Sequence, residues 1–86
     1  MKTIITFYNA DFMPLASLAR AIAVDLAIMP RAETELERQV IRMLEEYHEL
    51  DFVSMLRLTM ASESALIRTL GSLKGKKVID WFVVVE

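Results

Sequence analysis

The segment KKVIDWFVVVE, residues 76–86, constrains the fold more than any other stretch. Val, Ile, Trp and Phe at this density read as a β-strand over 77–85. Successive strand side chains point to opposite faces of a sheet. Ile79, Trp81, Val83 and Val85 therefore share one face, and Val78, Asp80, Phe82 and Val84 share the other. A half-exposed strand is apolar on one face and polar on the other. This one is apolar on both, Asp80 excepted, so both sides call for cover.

Composition sharpens the problem. The chain has 86 residues, of which 55% are hydrophobic, with a mean hydropathy of +0.37. A length near this is one domain. Such a domain buries only about 60–65% of the surface its unfolded chain exposes. Surplus apolar residues cannot all be hidden inside one small subunit, which points to an oligomer, a partner or a membrane. There is no cysteine, so disulfide and thiolate chemistry are excluded and a reducing, cytoplasmic setting is the expectation. The net charge of −2 is too small for a DNA mimic and of the wrong sign for generic phosphate binding.

Two segments bear on membranes. Lys2 followed by TIITF starts like a signal peptide, but Asn9 and Asp11 interrupt it before a full apolar region develops. Residues 12–29 have the length of a membrane span. Arg20 and Asp25 would each cost roughly 2.5–3.5 kcal/mol there, and Pro14 adds a break. A buried helix is the better reading, and no membrane partner is expected.

Residues 3–8 form a first strand. Asp11 caps a helix over 12–28 that tolerates Pro14 in its first turn. Leu15, Leu18, Ile22 and Leu26 make one stripe of it, with Val24 and Ile28 elsewhere, which predicts burial all round. Pro30 ends it. A second helix over 31–49 has Glu33, Glu35 and Glu37 at the dipole's positive end, and Leu36, Val40, Met43, Leu44, Tyr47 and Leu50 on an apolar face. Residues 51–60 fit two readings. A helix would continue the preceding one. A strand would set Phe52, Ser54, Leu56, Leu58 and Met60 against Val53, Met55, Arg57 and Thr59, and the cleaner alternation favours it. Ser62 caps a third helix over 63–73, with Leu66, Ile67, Leu70 and Leu73 inward and Gly75 as its stop.

The order β-α-α-β-α-β makes strands two and three parallel to each other and antiparallel to strand one. An α+β fold follows, a three-stranded mixed sheet in the order 2-1-3 with three helices on one face and a right-handed crossover. The topology resembles a ferredoxin-like plait in which a helix replaces one edge strand. The resemblance is one of topology alone and implies no function.

If Ile5, Phe7, Phe52, Leu56, Leu58, Ile79, Trp81 and Val83 face the helices, the open face carries Ile4, Thr6, Tyr8, Val53, Met55, Arg57, Val78, Asp80, Phe82 and Val84. At roughly 25 cal/mol per Å², leaving several of these wet is expensive against a total stability of about 5–15 kcal/mol. Sheet-to-sheet packing in a homodimer covers the face with a matching patch. Arg57 and Asp80 would pair across it or line its rim, and Met55 would adapt to a partner. The alternative cover is one of the chain's own helices.

Reactive constellations are scarce. His48 is the single histidine; Glu45-x-x-His48 has the spacing of di-iron carboxylate bundles, but no second histidine accompanies it. A solvated histidine is the reading, and no metal or cofactor is expected. GSLKGKK, residues 71–77, lacks the length, the hydroxyl and the strand-to-helix setting of a phosphate loop. Arg68, Lys74, Lys76 and Lys77 form a candidate basic patch, for which a solvated turn is the commoner explanation. Tyr8 and Phe82 are placed as stacking aromatics are on RNA-binding sheets, but their neighbours are Val, Ile and Met, which favours an interface. No nucleophile and base can be paired, so an enzyme is not expected.

The function expected is binding to a protein partner: a regulator, adaptor or inhibitor, such as a phage or mobile-element inhibitor of host machinery, dimeric through the sheet. The alternatives are a ligand-binding or enzymatic dimer using Tyr8, Arg57 and Asp80 between sheets, and a nucleic-acid binder using the Lys74–Lys77 turn.

Overall fold

The structure is a computed structural model that describes residues 1–8 and 17–85. Strand β1 is Lys2–Phe7. Helix α1, Ser17–Ala23, runs on into a π-helical turn, Val24–Ile28, and a 3-10 turn, Met29–Arg31. Pro30 has no N–H to continue an α-helical ladder, which accounts for the change of winding at its end. Helix α2 is Glu35–Tyr47, β2 is Glu49–Asp51, α3 is Phe52–Thr59, α4 is Glu63–Gly75 and β3 is Ile79–Val84. The expected N-cap Asp11, Pro14 and Leu15 lie outside the described residues.

The sheet order is β2-β1-β3, with β1 antiparallel to both neighbours; this is the expected order, although β2 is Glu49–Asp51 rather than 51–60 and two helices rather than one separate it from β3. Ile5 stands opposite Leu50 and Trp81, and Ile4 opposite Asp51 and Phe82. Ile5, Phe7 and Ile79 are buried under α2, α3 and α4, whose Val40, Ile41, Leu44, Met55, Leu66, Leu70 and Leu73 complete the core.

Residues 52–59 are a helix, not the expected strand, so the described α-helices number four. The reason is a cap. The Asp51 carboxylate accepts from the Ser54 amide at 3.2 Å and from the Ser54 hydroxyl at 2.7 Å, which settles a first helical turn. Met55 then falls on the helical core stripe and is fully buried. Met60, at φ 57°, ends the helix in the left-handed region.

Helix α2 starts four residues later than its charge pattern suggests. Thr34 and Glu37 form a reciprocal capping box: the Glu37 amide donates to Thr34 Oγ1 and the Thr34 amide donates to Glu37 Oε2, both at 3.1 Å. The first helix also departs from expectation. It is not buried all round: Val24 and Ile28 reach the core, while Leu18 and Leu26 are 74% and 76% exposed. The space above the sheet is taken by the other three helices, so among the described residues only one side of this element packs into the core. Ile67 likewise faces outward from α4.

Candidate functional site

The back of the sheet, away from the helices, is built in rows. Lys2 and Val84 form the first, Asp51, Ile4 and Phe82 the second, and Glu49, Thr6 and Asp80 the third. Phe82 is 47% exposed and Val84 37%, beside half-buried Ile4 and Thr6. Five of the ten expected interface residues therefore gather on one face: Ile4, Thr6, Asp80, Phe82 and Val84.

The other five are placed differently. Met55 lies in the core and Val53 and Arg57 are exposed on α3, because that segment is helical. Val78 is in the core as well. Lys77 takes φ 61°, and the turn delivers Val78 inward before β3 begins; its N–H donates to the Leu73 carbonyl at 3.0 Å and its carbonyl accepts from the Tyr8 amide at 2.9 Å. Tyr8 sits one residue past β1, exposed, at the mouth of a cavity beside Arg31 and Lys77. Lys2, Glu49 and Asp51 join the face without having been anticipated. A β2 confined to Glu49–Asp51 and its register against β1 leave no local mark in the sequence.

Asp80 is held on its own chain. Its Oδ1 accepts from the Trp81 amide at 2.8 Å and lies 3.5 Å from Lys74 Nζ. The same ammonium sits 4.0 Å from the centroid of the Trp81 ring, a cation–π contact. Trp81 also borders an apolar groove of about 270 Å³ on the helix side, with Thr3, Ile5, Phe52, Ile67 and Leu70.

Two of the four candidate basic residues are engaged by the chain's own carboxylates. Lys76 Nζ lies 2.7 Å from Glu37 Oε1 and 3.0 Å from Glu33 Oε1, and donates to the Arg31 carbonyl at 3.1 Å. Lys74 is engaged with Asp80 and Trp81. Arg68 and Lys77 are exposed. Glu37 itself is 2% exposed. Burial pushes its carboxyl upward, but the Lys76 ammonium and the amides of Glu33 and Thr34 outweigh burial and hold it below the usual carboxylate range. The bond to Glu37 holds Lys76 above the ordinary lysine value against some desolvation, with Glu33 adding to it.

His48 stands at the C-terminal end of α2, as expected, but is half-buried rather than fully solvated. It takes φ 71° and ψ −47°, and its Nδ1 is buried with no hydrogen-bond partner among the described residues. Among the described residues, no three His, Cys, Asp or Glu side chains stand together as a metal site would need. No helix there is long and apolar enough to cross a membrane. No known protein family, curated protein or solved structure matches the chain.

Proposed function

We propose that this protein works by binding a protein partner through the back of its sheet, and that the first such partner is a second copy of itself. The observation that carries the reading is the half-exposed pair Phe82 and Val84 beside Ile4 on a face the described helices leave open. Charge placement supports a copy as the occupant. Lys2 lies at one end of the face, and Glu49 and Asp80 at the other. A twofold axis running across the strands through the Ile4 row sets Lys2 of each copy above the Glu49 and Asp80 end of its mate. The dimer would then act as regulator, adaptor or inhibitor, with binding rather than catalysis as its activity.

Light scattering tests this directly. The wild-type chain is expected at twice its 9.8 kDa mass, and Phe82→Asp at the monomer mass with unchanged helical circular dichroism. A wild-type monomer, or a Phe82→Asp variant that keeps the doubled mass, overturns the reading.

A further inference from the structure

The cavity beyond the end of β1 has a chemistry of its own. It measures about 330 Å³. Its floor is apolar, made of buried Phe7, Ile28 and Val78, and its rim carries exposed Arg31, Lys77 and Tyr8. No acidic residue lines it among the described residues. Most described cations elsewhere meet a carboxylate: Lys76 meets Glu33 and Glu37, Lys74 meets Asp80, Arg38 meets Glu35, and Arg42 meets Asp25 and Glu45. Arg31 and Lys77 have no carboxylate partner among the described residues, and they share this one cavity.

Their convergence is built into the fold. Arg31 ends the 3-10 turn and Lys77 lies in the turn between α4 and β3. A reciprocal pair of bonds ties the two turns together: Arg31 Nη1 donates to the Lys76 carbonyl at 3.4 Å, and Lys76 Nζ donates to the Arg31 carbonyl at 3.1 Å. Lys77 is held at φ 61°, a conformation a β-carbon residue adopts at some cost. The nearby carboxylates of Glu33 and Glu37 are occupied by Lys76. Two like charges are thus left facing one concave apolar floor, with a phenol beside them.

From this arrangement we infer a binding site for a small amphiphilic anion. A carboxylate or phosphate monoester headgroup sits between the Arg31 guanidinium, the Lys77 ammonium and the Tyr8 hydroxyl, and an apolar body lies on Phe7, Ile28 and Val78. Charged hydrogen bonds orient the head, and apolar burial supplies the remaining affinity. The inference is independent of whether the sheet back dimerises.

Amide NMR titration of the full chain with octanoate, octyl phosphate, octan-1-ol and acetate tests it. The first two are expected to bind saturably, shifting Ile28, Arg31, Lys77 and Val78, and at least about tenfold more tightly than the alcohol or acetate. Arg31→Gln and Lys77→Asn, the latter compatible with the left-handed backbone, should each weaken octanoate by about tenfold at an unchanged melting temperature. The site is refuted if octan-1-ol binds as tightly as octanoate, or if the shifts fall on the Trp81 groove or the sheet back. It is equally refuted if neither anion saturates at millimolar concentration, or if both variants fold and bind like wild type. Octanoate and octyl phosphate separate the two headgroups by their relative affinity.

Discussion

Glu37 is the residue on which the ends of two helices converge. Its two oxygens accept from the Glu33 and Thr34 amides, the Ser72 hydroxyl and the Lys76 ammonium, so it joins the entry of α2 to the end of α4. A carboxylate whose folded pKa is depressed contributes stability that is present above its unfolded pKa, near 4.3, and lost as pH falls through the folded value. Lys76 is raised, so its contribution is present below its unfolded pKa, near 10.4, and lost as pH rises through the folded value. The pair therefore stabilises the fold across the neutral range and fails at both ends. Glu37→Gln should cost about 2 kcal/mol in urea unfolding at pH 7 and flatten the acid limb of a plot of melting temperature against pH. An unchanged acid limb would show that other carboxylates control it. Asp51, lowered by its bonds to Ser54, contributes to the same limb with the same sign.

His48 makes the opposite case. At φ 71° and ψ −47° it holds a conformation that glycine reaches without a β-carbon clash, and it buries a ring nitrogen with no hydrogen-bond partner among the described residues. Both features cost stability. His48→Gly is expected to leave the fold intact and raise its unfolding free energy by up to about 1 kcal/mol. A clear loss of stability would mean that the ring's packing outweighs the strain.

At the scale of elements, α3 shows how a cap overrules alternation. Residues 52–60 alternate well enough to suit a strand, yet Phe52, Met55, Leu56 and Thr59 also follow helical spacing, and the two periods are nearly balanced over so short a run. Asp51 and Ser54 tip it, since a carboxylate three residues before a hydroxyl and its amide satisfies donors that only a helix start leaves open. Asp51→Ala should therefore cost about 1 kcal/mol and reduce helical circular dichroism, with carbon chemical shifts over 52–55 moving towards coil. A strand in the same place would be nearly indifferent to that change. The capping pair is legible in the sequence as a motif; alternation alone does not reveal it.

For the whole molecule, the apolar surplus read from composition is present but divided. Part of it lies on the sheet back at Phe82 and Val84, part on α1 and the π-helical turn after it at Leu18, Ile22 and Leu26, part at the Trp81 groove at Ile67, and part on α2 and α3 at Tyr47, Val53 and Leu58. The sheet back is thus one of several apolar surfaces among the described residues rather than the sole site of overflow. If it is where copies meet, stability is linked to concentration by mass action. The melting temperature of the wild-type chain should climb over a hundredfold increase in protein concentration, while that of Phe82→Asp should not. Parallel, flat curves for both would remove the sheet back from consideration.

Strands β1 and β3 were legible in local composition, and the order β2-β1-β3 is the expected one, because strand-forming runs and short connections restrict the paths a chain can take; β2 itself was not legible, since the strand expected over 51–60 gives way to Glu49–Asp51 followed by a helix. The hydrophobic excess was equally plain from counting residues. Which of two apolar stripes on α1 meets the core, whether 52–59 winds or extends, and where Met55 and Val78 point were decided only when the other elements claimed their space. The meeting of Arg31 with Lys77 is of the same kind, joining turns far apart in the chain. Side-chain periodicity specifies the faces an element possesses; burial of one face in preference to another depends on what packs against it, and that is a property of the assembled fold.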